Sequence, residues 1–211
     1  MAKFRIVLLL ALGALWGGAA QAASPAPAGS FAMVGGETSI PYGWVDFCGR
    51  QPQECAQPVL PARDLALNAA SWKALNRVNR AVNAAIEPIS NYDHWGTTLD
   101  HWDYPTDGKG DCKIYALLKR KQLIEAGFPR QALLMTIVRD LEGNGHAILT
   151  VKTDRGDFIL DNLTDDIRPW TATGYRFLKR QSQQDPNVWV SIQGAPALAA
   201  RAAGASNASA N

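Results

Sequence analysis

The spacing of hydrophobic residues changes along the chain, and the first regular pattern is helical. Between residues 63 and 89, apolar side chains recur at steps of three and four, which is the period of an amphipathic helix with one buried face. Pro88 marks its end. The apolar set is Leu65, Trp72, Leu75, Val78, Val82 and Ile86. Three asparagines at helical spacing, Asn76, Asn79 and Asn83, are interpreted as a solvent-wetted edge rather than a polar stripe near a site.

A second helical run begins at Cys112, where a loop rich in Gly and Pro ends. The helix is expected to stop at Gly127, because glycine is common just after a helix and Pro129 cannot continue it. The basic run at 119–121 is interpreted as the solvated face. The apolar residues that share the opposite face are Ile114, Leu117, Leu118 and Ile124.

Alternation typical of strands replaces the helical period after residue 131. The segments at 132–139, 146–153 and 157–162 are separated by glycine-containing turns at 141–145 and 154–156. This pattern predicts an antiparallel meander. A helix followed by such a meander belongs to the α+β class.

Residues 91–109 show no period and contain two tryptophans, two tyrosines and two histidines. The segment is predicted to be a loop that wraps the entrance to Cys112. Its aromatic side chains are equally suited to shaping a peptide groove and to filling a core.

The first residues are typical of a secretory signal peptide at 1–22. A basic start is followed by an apolar run at 6–16 and by Ala20-Gln-Ala22, a small-residue cleavage site. The apolar run is short for a bilayer span, so no stable membrane anchor is expected after cleavage. The sequence therefore predicts a periplasmic or secreted protein.

Composition predicts one ordinary globular domain in the mature chain. The assigned segments are a flexible leader at 23–39, the folded domain at 40–194 and a disordered tail at 195–211. The chain has 211 residues, with 21 Lys and Arg against 19 Asp and Glu. It has no basic block of the kind that follows nucleic acid, so nucleic acid is not an expected partner.

Export changes the interpretation of the three cysteines, because oxidising compartments permit disulfides. Cys48 and Cys55 flank a short loop containing Gly and Pro, which predicts a disulfide between them. Two separately reactive cysteines are the alternative. A metal site is disfavoured because the three histidines show no ligand spacing relative to this pair.

Cys112, His146 and Asp161 supply the groups that cysteine catalysis needs. A thiolate at a helix N-terminus is stabilised by unpaired backbone N–H groups and by the helix dipole. A histidine must hold the proton, and a third polar group must orient the imidazole. His146 begins one predicted strand and Asp161 lies on the next. A lone strand histidine is also common as a structural hydrogen-bonding group, so the pattern alone leaves that alternative open.

Four motifs in this order carry a family resemblance: Trp102-Asp-Tyr-Pro105, Gly108-Lys-Gly-Asp-Cys112, Gly145-His-Ala147 and Leu160-Asp-Asn162. They resemble the bacterial transglutaminase-like cysteine proteinases, which include LapG-type periplasmic proteases that release surface adhesins. The resemblance implies a papain-like, transglutaminase-like fold with the nucleophile at a helix N-terminus packed on an antiparallel sheet.

The same resemblance assigns the catalytic residues as Cys112, His146 and Asp161. It implies an exported cysteine peptidase that cleaves a protein or peptide substrate through a thioester, with a cell-surface adhesin as the substrate by analogy. Two alternatives stay open, namely an amide acyltransferase with transglutaminase activity and a non-catalytic periplasmic binding module.

The chain departs from the family pattern at Lys113. Members commonly continue the motif after cysteine with acidic residues, and in LapG-type relatives the acidic residues flanking the nucleophile help to bind calcium. Asp111 keeps one such position and is the candidate metal residue, whereas Lys113 replaces the other carboxylate with a cation. A hard divalent ion needs several oxygen ligands, so Lys113 argues against calcium dependence, and no cofactor is expected to be required.

Strand register raises a question about Asp161. A tight turn at 154–156 places Asp161 opposite a residue near Leu149 rather than opposite His146. Either a bulge shifts the register or the carboxylate reaches diagonally across the sheet. Asp165 is the substitute if neither occurs.

Overall fold

The computed structural model describes residues 30–193, which form a mixed structure of helices and mainly antiparallel strands. The helices are α1 (Tyr42–Arg50), α2 (Pro52–Cys55), α3 (Ala69–Ala85), α4 (Asn91–Trp95) and α5 (Cys112–Glu125), with short 3-10 turns at Arg130–Ala132 and Trp170–Ala172. The strands are β1 (Met33–Thr38), β2 (Glu87–Pro88), β3 (Lys109–Gly110), β4 (Leu133–Arg139), β5 (Gly145–Thr153), β6 (Gly156–Leu160), β7 (Arg168–Pro169), β8 (Arg176–Gln181) and β9 (Trp189–Gln193).

Seven strands form one sheet in the order β1-β9-β8-β4-β5-β6-β7, and every pairing in it is antiparallel. β2 and β3 form a separate parallel pair. The predicted meander is confirmed as β4, β5 and β6, which are neighbours in the sheet. The α+β class is therefore confirmed.

Helix α5 packs on β5 and β4 and is flanked by α3. Leu75 of α3, Leu117 and Leu123 of α5, and Leu149 of β5 are fully buried members of one apolar core. Burial of each such side chain stabilises the fold by about 1.5–3 kcal/mol. This packing fixes the first turn of α5 over the sheet.

The helix predicted over residues 63–89 is shorter in the structure. It begins after Asn68, whose side chain accepts a hydrogen bond from the backbone N–H of Ser71 while the Ser71 hydroxyl accepts one from the backbone N–H of Asn68. This reciprocal capping box defines a helix start. Leu65 lies before the helix and forms an isolated bridge with Thr153 of β5. Ile86 has extended backbone angles, so the helix ends one residue earlier.

Two of the three residues in the basic run on α5 are not on the solvated face that the sequence predicted, whereas the Lys121 side chain is 40% exposed. Lys119 and Arg120 are buried, because α5 lies between the sheet and α3 and is covered on most sides. Arg120 Nε donates to the Leu133 carbonyl at 3.1 Å, and the guanidinium lies 5.9 Å from the centre of the Trp44 ring. Burial lowers the pKa of Lys119 to about 7, despite the opposing charges of two carboxylates.

The segment predicted as a flexible leader contains strand β1. Met33 pairs with Gln193 and Thr38 pairs with Trp189, so β1 forms one edge of the sheet. Glycines at 35 and 36 suggested flexibility, but backbone pairing with β9 orders this segment. The ordered structure therefore begins before residue 40.

The predicted disulfide between Cys48 and Cys55 is confirmed, with the two Cα atoms 5.5 Å apart. It joins the end of α1 to α2. Asn187 adds a second link to this corner, because its Nδ2 donates to the Cys55 carbonyl at 2.9 Å and its Oδ1 accepts from the Trp44 indole at 3.2 Å.

The predicted signal peptide at 1–22, the first part of the leader and the whole of the tail at 195–211 lie outside the described residues. Between residues 30 and 193, none of the helices has the length and apolar character needed to cross a bilayer.

Candidate active site

Cys112 is the first residue of α5 and is half-buried. The turn before it requires Gly110, because a Cβ there would lie only 2.5 Å from the Ile114 side chain. The backbone N–H of Ala147 in β5 points at the Cys112 sulfur, 3.4 Å away. The helix start and the neighbouring strand therefore hold the thiol between them.

His146 is the second residue of β5 and is buried. Its Nε2 lies 2.8 Å from Asp161 Oδ1, which leaves the other ring nitrogen for the thiol. Burial disfavours the charged ring, but hydrogen bonds to Asp161 and Cys112 and the charges of both groups outweigh it and raise the pKa of His146 to about 10. The three predicted residues are thus adjacent, with the imidazole between the thiol and the carboxylate.

The carboxylate of Asp161 reaches His146 diagonally across the sheet. Leu149 pairs with Leu160, so straight continuation of the register places Asp161 opposite Ile148, two positions from His146 on the same face. Side chains at such diagonal positions lie within reach of each other. Of the two solutions considered for the register, the diagonal reach is the one observed at this pair.

Tyr175 is a site residue that the sequence analysis missed. Its hydroxyl donates to Asp161 Oδ2 at 2.6 Å, and its ring packs edge-on against His146 with the ring centres 5.7 Å apart. The backbone N–H of Leu163 donates to Asp161 Oδ1 at 3.1 Å. Burial disfavours the carboxylate charge, yet these donors and His146 lower the pKa of Asp161. The carboxylate is therefore held in its ionised form.

Two of the three asparagines on α3, Asn79 and Asn83, bind the loop after β6 and are not the wetted edge that the sequence predicted, whereas Asn76 donates to the Trp72 carbonyl one turn earlier. Asn79 is fully buried, and its Nδ2 donates to the Asp165 carbonyl at 3.0 Å. Asn83 Nδ2 donates to the Asp161 carbonyl at 3.0 Å and to Asp165 Oδ1 at 2.9 Å. The loop after β6 places these acceptors against α3. Asp165, the predicted substitute, thus contacts Asn83 while Asp161 holds His146.

A cleft of about 290 Å³ opens over the thiol. Its lining residues are Asp100, Trp102, Asp111, Cys112, Lys113, Ile137, Gly145, His146 and Ala147.

The aromatic side chains of residues 91–109 lie partly in the core and partly at the surface. Trp102 is fully buried and packs edge-on against Trp44 and Trp189. Trp95 is 39% exposed and lies beside His94 and His101, with ring centres 4.1 and 4.3 Å away. Trp102 therefore belongs both to the buried core and to the wall of the cleft.

Lys113 lies on the wall of the cleft, and its ammonium is shared between two carboxylates. It forms an ion pair with Asp111 and a second with Asp100 Oδ1 at 3.0 Å. Burial disfavours the ammonium, but the two carboxylates outweigh it and raise the pKa of Lys113. Among residues 30–193, no cluster of three or more His, Cys, Asp or Glu side chains is arranged to hold a metal ion. The donor set around Asp111 does not fit calcium, because an ammonium lies where the carboxylates converge.

Three solved structures of LapG from Legionella pneumophila are similar to this chain. One is 24% identical over 56% of this chain and 68% of that chain, with a TM-score of 0.48. A calcium-bound form is 24% identical over 57% of this chain and 68% of that chain, with a TM-score of 0.49. An EGTA-treated form is 25% identical over 56% of this chain and 66% of that chain, with a TM-score of 0.47. No curated protein matches the chain.

The sequence profile of one family matches residues 34–196, which is most of the chain. That family is described as the bacterial transglutaminase-like cysteine proteinases. The match begins at the second residue of β1 and continues past β9, so it includes nearly the whole sheet and the helix that carries Cys112. The chain therefore belongs to the bacterial transglutaminase-like cysteine proteinase family and is a cysteine peptidase of that family.

Proposed function

We propose that this peptidase cleaves its substrate through a thioester on Cys112, with His146 as the proton carrier and Asp161 as the group that orients His146. The observation that carries the proposal is the position of the His146 ring, which lies 2.8 Å from Asp161 and lines the same cleft as Cys112. The raised pKa of His146 favours the imidazolium, which forms when the thiol proton moves to the ring.

The reaction has two halves. The Cys112 thiolate attacks the peptide carbonyl, and the backbone N–H of Cys112 helps to stabilise the oxyanion, because the first N–H groups of a helix have no intrahelical acceptor. The C–N bond then breaks, and the imidazolium of His146 gives its proton to the departing amine. In the second half, water loses a proton to His146 and attacks the thioester, which releases the carboxylic acid and regenerates the thiol.

Hydrolysis is the proposed outcome rather than transfer to an amine. The two reactions share the thioester and differ only in the acceptor, so the three residues do not distinguish them. The family description as proteinases supports water as the acceptor.

We further propose that the substrate is an exported or cell-surface protein. The signal-like segment at 1–22 supports export. The disulfide between Cys48 and Cys55 also supports it, because such bonds persist mainly in oxidising compartments. A surface adhesin is the substrate by analogy with the LapG-type proteases that the motifs resemble.

A library of peptides from digested bacterial surface proteins tests this proposal. The purified mature protein is incubated with the library in the presence of a fluorescent primary amine, and mass spectrometry detects new peptide termini. We expect new termini with the wild type and none with Cys112→Ser. Incorporation of the amine without new termini would favour acyl transfer, and no change in the library would favour the binding module.

A further inference from the structure

Lys113 is an unusual residue for the first turn of the helix that carries the nucleophile. Its side chain is 6% exposed, and the proposed reaction does not use it. Its ammonium contacts Asp111, which immediately precedes Cys112, and Asp100, which lies in the loop between α4 and β3. We propose that Lys113 is a built-in cation that joins this loop to the start of α5, in place of a bound calcium ion.

The loop end of this connection is fixed to the core. Asp100 uses Oδ1 for Lys113 and accepts a hydrogen bond from the Trp102 indole N–H at Oδ2, 2.6 Å away. Trp102 is fully buried and contacts Trp44 and Trp189. A chain of contacts therefore runs from the aromatic core through Asp100 and Lys113 to Asp111 and the nucleophile.

The charge at this point excludes a divalent ion. Calcium takes six to eight oxygen ligands at about 2.3–2.6 Å, and its ligands are predominantly carboxylates and carbonyls. Here the two carboxylates already share an ammonium, and an added cation would be repelled by it at close range. Because the ammonium is covalently part of the chain, its presence does not vary with calcium concentration.

The ion pairs of Lys113 with Asp111 and Asp100 do not depend on the reaction that Cys112 carries out. Only an effect of Lys113 on the rate of peptide cleavage rests on the proposed function. We expect the wild type to have the same melting temperature in EGTA and in millimolar CaCl₂. We also expect the same rate of Cys112 alkylation by iodoacetamide under both conditions.

Variants at Lys113 test the role of its charge. Lys113→Met leaves two carboxylates without their shared cation, and we expect a melting temperature lower by about 10 °C and slower alkylation of Cys112. Lys113→Glu adds a third carboxylate, and we expect it to be destabilised in EGTA and partly restored by CaCl₂. The matched control is Lys109→Met, which removes an exposed lysine paired with Glu87 at 3.4 Å and should shift melting by about 2 °C or less.

Three outcomes would overturn the inference. EGTA could lower the melting temperature of the wild type, Lys113→Met could behave like Lys109→Met, or Lys113→Glu could fail to respond to calcium. The wild-type comparison holds even if a Lys113 variant does not fold. Calcium-independent melting in a protein that cleaves no peptide would retain this inference while rejecting the proposed function, and calcium-dependent melting in an active peptidase would do the reverse.

Discussion

Removal of one hydroxyl group, in Tyr175→Phe, tests whether Asp161 must be held ionised. The Phe ring keeps the edge-on contact with His146, so the substitution removes only the 2.6 Å hydrogen bond to Asp161 Oδ2. Both residues are buried, and water does not readily replace the lost donor. A hydrogen bond to a charged group contributes about 1.5–3 kcal/mol. We therefore expect the melting temperature to fall by about 5 °C.

The catalytic effect follows from the same bond. With one donor fewer, the pKa of Asp161 moves up towards its ordinary value, and the carboxylate holds the His146 imidazolium less firmly. Because about 1.4 kcal/mol corresponds to a factor of ten, kcat/KM should fall roughly ten- to a hundredfold. Because the pKa of Asp161 is lower in the folded protein than in the unfolded chain, its carboxylate stabilises the fold at pH values above the unfolded-state pKa. This stabilisation is lost as the pH falls through the folded-state pKa. Acid unfolding of Tyr175→Phe should therefore begin at a higher pH.

Tyr115→Phe is the matched control. Tyr115 is also buried, and its hydroxyl donates at 2.6 Å to the Ile86 carbonyl, which is a neutral acceptor, rather than to Asp161. Thermal melting and peptide cleavage, measured on both variants across pH 4 to 9, separate the two effects. Equal losses of activity in Tyr175→Phe and Tyr115→Phe, or full activity in Tyr175→Phe, would refute the reasoning.

Three further changes have defined outcomes. Asn83→Ala should free the loop after β6 and lower both the melting temperature and kcat/KM. The control Asn76→Ala loses only a hydrogen bond to the carbonyl one turn earlier and should lower the melting temperature alone. Equal kcat/KM values in the two variants would contradict this. Reduction of the disulfide between Cys48 and Cys55 should cost roughly 2–3 kcal/mol of stability, measured by denaturant unfolding, and no change would show that the bridge does not constrain the unfolded chain. The fold raises the pKa of His146 to about 10. The charged imidazole therefore stabilises the fold fully at pH values below about 6.5, the ordinary pKa of histidine. That stabilisation should be lost as pH rises towards 10, and His146→Gln should lack this dependence in melting curves.

The sequence predicted the parts of the fold that depend on local pattern. The start of α5 at Cys112 follows from a helical period after a glycine turn, and the meander follows from alternation between glycine-containing turns. β1 was missed because its glycines resemble a linker, and its order comes from pairing with a strand more than 150 residues away. Tertiary packing decided what local propensity could not.

The candidate site divides in the same way. Cys112, His146 and Asp161 were identified by residue type, position and family motif, and the structure places them together. Tyr175 and Asn83 have no local signal, because a hydroxyl or an amide shows its role only through the distant residue that it contacts. Sequence periodicity also assigns lysines to solvent, which is why the buried positions of α5 were wrongly assigned.

The central claim is that His146 activates Cys112, and the rate of iodoacetamide labelling tests it most directly. Cys48 and Cys55 are joined in a disulfide, so among the three cysteines of the chain the reagent addresses Cys112 alone. Labelling is measured by mass spectrometry at pH 5 to 9 in the wild type and in His146→Ala, with folding checked by circular dichroism. We expect fast labelling of the wild type, and a loss of about tenfold or more in His146→Ala. Equal, slow labelling in two folded proteins would contradict the account.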